Sequence, residues 1–195
     1  RPLAELAASL PLRELSPSDL YAYLSSEAAP QPAATHEAHD GVMATPELPP
    51  LAEAFALAEL TPAQRWDVVA ALYAAALSPD ALTTGAALYE RDCTGCHGLV
   101  GEGDGPGAAA ITAQNAAQPG GDHGMSMDQP PADFTDLAAQ AGASDLLYYG
   151  KLVRGGMGTS MPYWGTIYSE DELWQVIAFL RSFAFDLQRV TIQQD

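Results

Sequence analysis

The chain has 195 residues, of which 25 are acidic and 8 basic, giving a formal net charge of -17, and Lys151 is its single lysine. Neutralising phosphates takes clustered Lys and Arg, so nucleic-acid binding is excluded. With 48% hydrophobic and 17% charged residues the composition is that of a folded chain, and at roughly 150 residues per domain the length suits one generous domain or two small ones.

The beginning of the chain, Arg1 to Leu12, is interrupted by Pro2, Glu5 and Pro11 and reads as neither a signal peptide nor an anchor, as expected of a processed chain. Ser16, Pro17 and Asp19 then open a short helix through Leu20 and Tyr23. Residues 28–50, with Pro30, Pro32, Pro46, Pro49 and Pro50, read as an irregular linker. Thr61, Pro62 and Gln64 form the pattern of a helix cap, a first-position proline and a capping-box partner, ahead of Trp66, Val69, Leu72 and Ala76. The longest apolar run, Val68 to Leu77, falls far short of the ~20 residues of a membrane span. A further helix is expected from Thr84 to Arg91, and the region 98–131 is expected to be irregular. Ser144 or Gly142 starts a helix through Leu146, Tyr149 and Leu152, and Ser169 with Glu172 caps one carrying Leu173, Trp174, Ile177, Leu180 and Phe183. No segment alternates with a period of two, so the chain is predicted to be all-α with long loops.

The sequence repeats itself at two places in the same order. TPAQRWDVVAALY at 61–73 lines up with SEDELWQVIAFLR at 169–181, pairing Trp66 with Trp174 and Leu72 with Leu180. SPSDLYAYL at 16–24 matches GASDLLYYG at 142–150, pairing Asp19 with Asp145 and Tyr23 with Tyr149. A duplicated helical framework is expected, divided into residues 1–80 and 81–195.

The two cysteines stand in Cys93-Thr94-Gly95-Cys96-His97. This is the spacing of c-type haem attachment, in which two thiols one helical turn apart bond the two vinyl groups of a porphyrin and the next residue supplies an imidazole to the iron. A thioredoxin-like pair would need its first cysteine at a helix start, where the dipole lowers its pKa, whereas here a helix precedes the motif and glycines follow. A structural zinc site needs four ligands, and His36, His39 and His123 are the histidines left to complete one. A sixth ligand to a haem iron would come from Met161, in a loop stiffened by Pro162, with Met157 as its rival. His123, Met125 and Met127 form a further pattern of soft donors suited to Cu(I), but a glycine-rich loop shielding one haem edge is the favoured explanation.

The run GAALYERDCTGCHGLVGEGDGPGAA, followed by RGGMGTSMPYWG and SEDELWQVIAFLRSF, resembles class I c-type cytochromes, and most of all the small cytochrome modules of membrane oxidoreductases and iron permeases. The resemblance covers residues 81–185. It implies one covalent haem c and its iron, with Cys93 and Cys96 as thioether attachments and His97 and Met161 as axial ligands. It further implies that the Pro106 carbonyl accepts the His97 Nδ1 proton, that Trp164, Tyr163 and Arg154 hydrogen-bond the haem propionates, and that Gly85 and Tyr89 pack against Trp174, Ile177 and Ala178.

On this reading residues 81–195 are a class I cytochrome c domain, and residues 1–80 are a haemless helical segment resembling the second half of one. Leu48-Pro49 stands where the Met-Pro pair would be. Either a first haem domain has decayed into a haemless helical subdomain, or the chain begins inside a two-haem protein whose first motif lies upstream of Arg1, with Met43 as a ligand to that haem. The expected function is electron transfer rather than bond chemistry, in the periplasm or another extracytoplasmic space. The redox protein partner would present a basic or neutral docking face, because the acidic surface attracts positive charge at a rate that falls with salt. A fixed electron-entry subunit of a membrane complex is the alternative role, and a haem enzyme or ligand sensor a more distant one.

Overall fold

The computed structural model describes residues 3–25, 60–78, 80–116, 130–156 and 159–185. Its elements are α1 (Leu3–Ala8), α2 (Pro17–Ser25), α3 (Pro62–Ala75), α4 (Ala81–Asp92), α5 (Thr94–His97), α6 (Ala108–Ala116), α7 (Leu137–Gly142), α8 (Asp145–Arg154) and α9 (Glu170–Arg181), with a 3-10 turn at Trp164–Thr166. Among the described residues there is no strand, as the all-α expectation requires. Helix α6 corrects one expectation: it lies inside the stretch taken as irregular, where Ala108, Ala109, Ala110 and Gln114 are good helix formers. His36, His39, Met43, Leu48-Pro49, His123, Met125, Met127 and Met157 lie outside the described residues.

Helices α1–α3 belong to one compact unit, and α4–α6 with α8 and α9 to a second. In the first, α1 and α2 both pack on α3. Leu6, Leu10, Leu12, Leu15, Leu20, Leu24, Val69 and Leu72 are buried there, and the Tyr73 hydroxyl donates to the Leu15 carbonyl at 2.8 Å.

In the second unit α4 crosses α9. The crossing is close because Gly85 has no Cβ: an atom placed there would sit 2.0 Å from the Gln175 carbonyl oxygen and 2.9 Å from Phe179 Cβ. The crossing follows expectation, but its closest partners are Gln175 and Phe179. Tyr89, a turn later, packs on Phe179 and Phe183 at ring-centroid distances of 5.3 and 5.1 Å. Trp174 is turned elsewhere, stacked on Tyr149 at 4.5 Å.

Both units start their last helix with the same capping box. Gln64 N–H donates to Thr61 Oγ1 at 3.3 Å while Thr61 N–H donates to Gln64 Oε1 at 2.8 Å, and Ser169 with Glu172 repeats both bonds at 3.3 and 2.8 Å. One turn beyond the cap, Trp66 stacks on Tyr21 at 4.6 Å, as Trp174 does on Tyr149. The stacks pair Tyr21 with Tyr149, and α2 and α8 begin directly after Ser16 and Ser144. The register expected from identical letters, Tyr23 with Tyr149, is therefore off by two residues; caps and stacks align the helices where letter matching does not.

Gly85→Ala should cost about 2 kcal/mol or more in denaturant unfolding, since the added carbon meets backbone that cannot yield without parting the helices. Gly142→Ala, with nothing within 4 Å of the added atom, should stay within about 0.5 kcal/mol.

Candidate functional site

Helix α4 delivers the motif. Cys93 N–H donates to the Tyr89 carbonyl at 2.8 Å and closes α4, and α5 continues as a single turn in which His97 N–H donates to the Cys93 carbonyl at 2.9 Å. Both thiols are free, Cys93 buried and Cys96 partly so. Burial, with the negative charge of Asp92 nearby, pushes the Cys93 thiol up to about 12. It is the opposite of the depressed thiol that redox exchange needs. Among the described residues no group of three or more His, Cys, Asp or Glu side chains is placed to hold a metal ion, and the histidines that the zinc alternative needs, His36, His39 and His123, lie outside the described residues.

The glycine-rich loop after the motif folds back along α5. Gly103, Gly105 and Gly107 N–H groups donate to the His97, Cys96 and Gly95 carbonyls at 2.9, 3.1 and 2.8 Å. Gly103 adopts φ +76°, and a Cβ on it would lie 2.6 Å from the Pro131 carbonyl oxygen. The 130–134 segment is thereby brought against His97, and Phe134 N–H donates to the Gly101 carbonyl at 2.7 Å.

This packing corrects the expected partner of the imidazole. His97 Nδ1 lies 3.1 Å from the Ala132 carbonyl, whereas Pro106 sits at the exposed far end of the folded-back loop. A carbonyl only accepts, so Nδ1 carries the proton and Nε2 keeps its lone pair. Burial pulls the His97 pKa below its ordinary value, and the Ala132 carbonyl acts to raise it. The Phe134 ring lies 4.7 Å from the imidazole and restricts its rotation.

Met161 arrives from the other side of the chain. After α8 the backbone turns so that Gly156 N–H donates to the Met161 carbonyl at 3.4 Å, and Met161 N–H donates to Thr159 Oγ1 at 3.3 Å. These segments enclose a cavity of about 530 Å³, within the range of ordinary cofactor pockets. Cys93, Cys96, His97, Met161 and Trp164 stand on its wall, with Tyr89, Phe134, Leu152, Val176 and Leu180 among the apolar side chains. Five of the residues expected at the site therefore stand on one cavity wall. The other two propionate candidates are not on the wall: Tyr163 is 63% exposed, and Arg154 turns its Nε back to the Gly150 carbonyl at 3.1 Å.

The donors and the space fit a haem. Two thiols a helical turn apart can bond one porphyrin edge, a neutral imidazole nitrogen and a thioether can ligate iron, and an apolar enclosure accepts the macrocycle. A cytochrome c family model matches residues 82–184, just over half of the chain. The chain belongs to the cytochrome c family. No curated protein and no solved structure matches it. Membership carries covalently bound haem and haem-based electron transfer in general, and cytochrome c domains are typically extracytoplasmic. Among the described residues no helix is long and apolar enough to cross a membrane.

Several wall residues of this cytochrome are invisible to motif reading. Ala132 acts through its backbone, and Asp92 and Lys151 enter the lining only through the fold. Asp92 accepts from the Tyr168 hydroxyl, which holds its carboxyl below the usual range, and from Arg91 Nε at 2.8 Å. Tyr168 in turn stacks on Trp164 at 5.3 Å, tying the cavity wall to the start of the haem motif.

Gly103→Ala should cost about 2 kcal/mol in unfolding of the haem-loaded protein, from the left-handed backbone and the collision with Pro131. Gly95→Ala, within the motif itself but with open space around it, should be tolerated within about 0.5 kcal/mol.

Proposed function

We propose that the protein carries one haem c, attached through Cys93 and Cys96 and ligated by His97 and Met161, and acts as a single-electron carrier. The observation that carries this reading is the convergence of both thiols, the His97 imidazole and Met161 on one apolar cavity. The haem, when bound, supplies the Fe(III)/Fe(II) couple. The chain supplies orientation and environment. The Ala132 carbonyl fixes the imidazole plane through Nδ1–H and makes Nε2 a better donor. Met161 contributes a soft sulfur that favours the ferrous state. Tyr89, Phe134, Leu152, Val176 and Leu180 keep water from the ring and disfavour the additional positive charge of the ferric form.

Electrons pass at the edge bearing Cys93 and Cys96, to a redox protein with a basic or neutral docking face, in the periplasm or outside the cell. The net charge of -17 supports such a partner. Residues 1–80 are, in this reading, a haemless copy of the helical framework. Their capping box and their Tyr21–Trp66 stack, matching Ser169–Glu172 and Tyr149–Trp174, support that origin. So does Tyr73, whose hydroxyl reaches a backbone carbonyl ahead of α2, as Arg181 reaches the Gln140 carbonyl ahead of α8.

Met161→Ala should abolish the weak methionine-to-iron charge-transfer band of the ferric protein and lower its reduction potential, and Met157→Ala should leave both nearly unchanged. The reverse pattern would move the ligand to Met157, and a high-spin ferric parent would replace the carrier with a haem having an open site.

A further inference from the structure

We propose that Lys151 is the cationic partner of a haem propionate and sets the reduction potential through that pairing. The proposal rests on the haem reading above. A porphyrin held by its vinyl groups at Cys93 and Cys96 turns its opposite edge, with two carboxylates, toward the rest of the enclosure. Carboxylates at an apolar wall are costly without a counter-charge, and a chain of net charge -17 makes that cost larger.

Among the described residues three titratable or charged ones other than cysteine and tyrosine line the cavity: Asp92 from α4, His97 from α5 and Lys151 from α8. Asp92 is already held by Arg91 and Tyr168. His97 is committed through Nδ1 to Ala132. Among the described residues Lys151 is the one lysine or arginine on the wall, and it forms no ion pair.

Its position on α8 also fits. Lys151, Leu152 and Gly155 share the cavity side of the helix end, and the Thr159 and Ser160 side chains follow on the same wall. The flexible stem of a lysine lets the ammonium reach the rim while its methylenes cover apolar surface. Of the three expected partners, Arg154 is drawn to the Gly150 carbonyl and Tyr163 to solvent, while Trp164 stays on the wall as an uncharged donor.

Neutralising one propionate disfavours the ferric state, so the pairing raises the potential. It also keeps that propionate ionised, because an adjacent cation lowers a carboxyl pKa. The test is made on the haem-loaded protein and its Lys151→Gln and Lys151→Arg variants. Midpoint potentials are measured across the neutral pH range, together with the propionate bending modes in resonance Raman spectra. Lys151→Gln should lower the potential, make it fall more steeply with rising pH as the released propionate titrates, and shift one propionate mode. Lys151→Arg should restore all three. Acetylation of the single lysine in the parent protein should reproduce the glutamine variant without a mutation. Unchanged potential and propionate modes in Lys151→Gln, with the haem spectrum intact, would overturn the assignment. A parent protein without covalent haem would instead overturn the reading on which it rests.

Discussion

The contact between α4 and α9 at Gly85 sets the frame within which everything else is placed. Because the two helices meet backbone to backbone at Gly85 and Gln175, with no room for a methyl group, the end of α4 is fixed relative to Val176 and Leu180 on α9. Cys93 and its motif are therefore presented to one side of a wall that α9 completes. Tyr89, wedged between Phe179, Phe183 and Phe134 and bonded through its hydroxyl to the Gly98 carbonyl at 2.8 Å, carries that order into the loop after His97. Phe134 then restrains the imidazole itself. Helix crossing, loop and ligand are one connected packing problem.

How much of this was legible in the sequence depends on the range of each interaction. The capping boxes at Thr61–Gln64 and Ser169–Glu172 bind groups three residues apart, and they appear in the structure as the letters imply. The haem motif is equally local. The acceptor for His97 is 35 residues away and is a backbone oxygen, so no side-chain letter announces it. Only the close passage of Gly103 beside Pro131 brings it there. Helix α6 was hidden by the surrounding glycines and prolines, although its alanines favour helix once the loop has ended. Lys151 looks like any exposed charge until α8 is placed beside the cavity.

The first unit repeats the arrangement of capped helix and stacked tyrosine but carries no haem motif. Its space is taken by leucines: Leu10, Leu12 and Leu15 are buried between α1 and α2 in sequence, and the Tyr73 hydroxyl fastens the last of them. The acidity is present on both sides of the division, and within the second unit Lys151 stands against it as the chain's single lysine.

The central claim is that one haem is bonded to this chain through Cys93 and Cys96. Mass spectrometry of the mature protein after denaturation and proteolysis tests it most directly. The account predicts a peptide spanning Cys93–His97 that retains the mass of one haem, with no haem on any peptide from residues 1–80. Recovery of that peptide with both thiols unmodified, or of haem attached elsewhere, would contradict it.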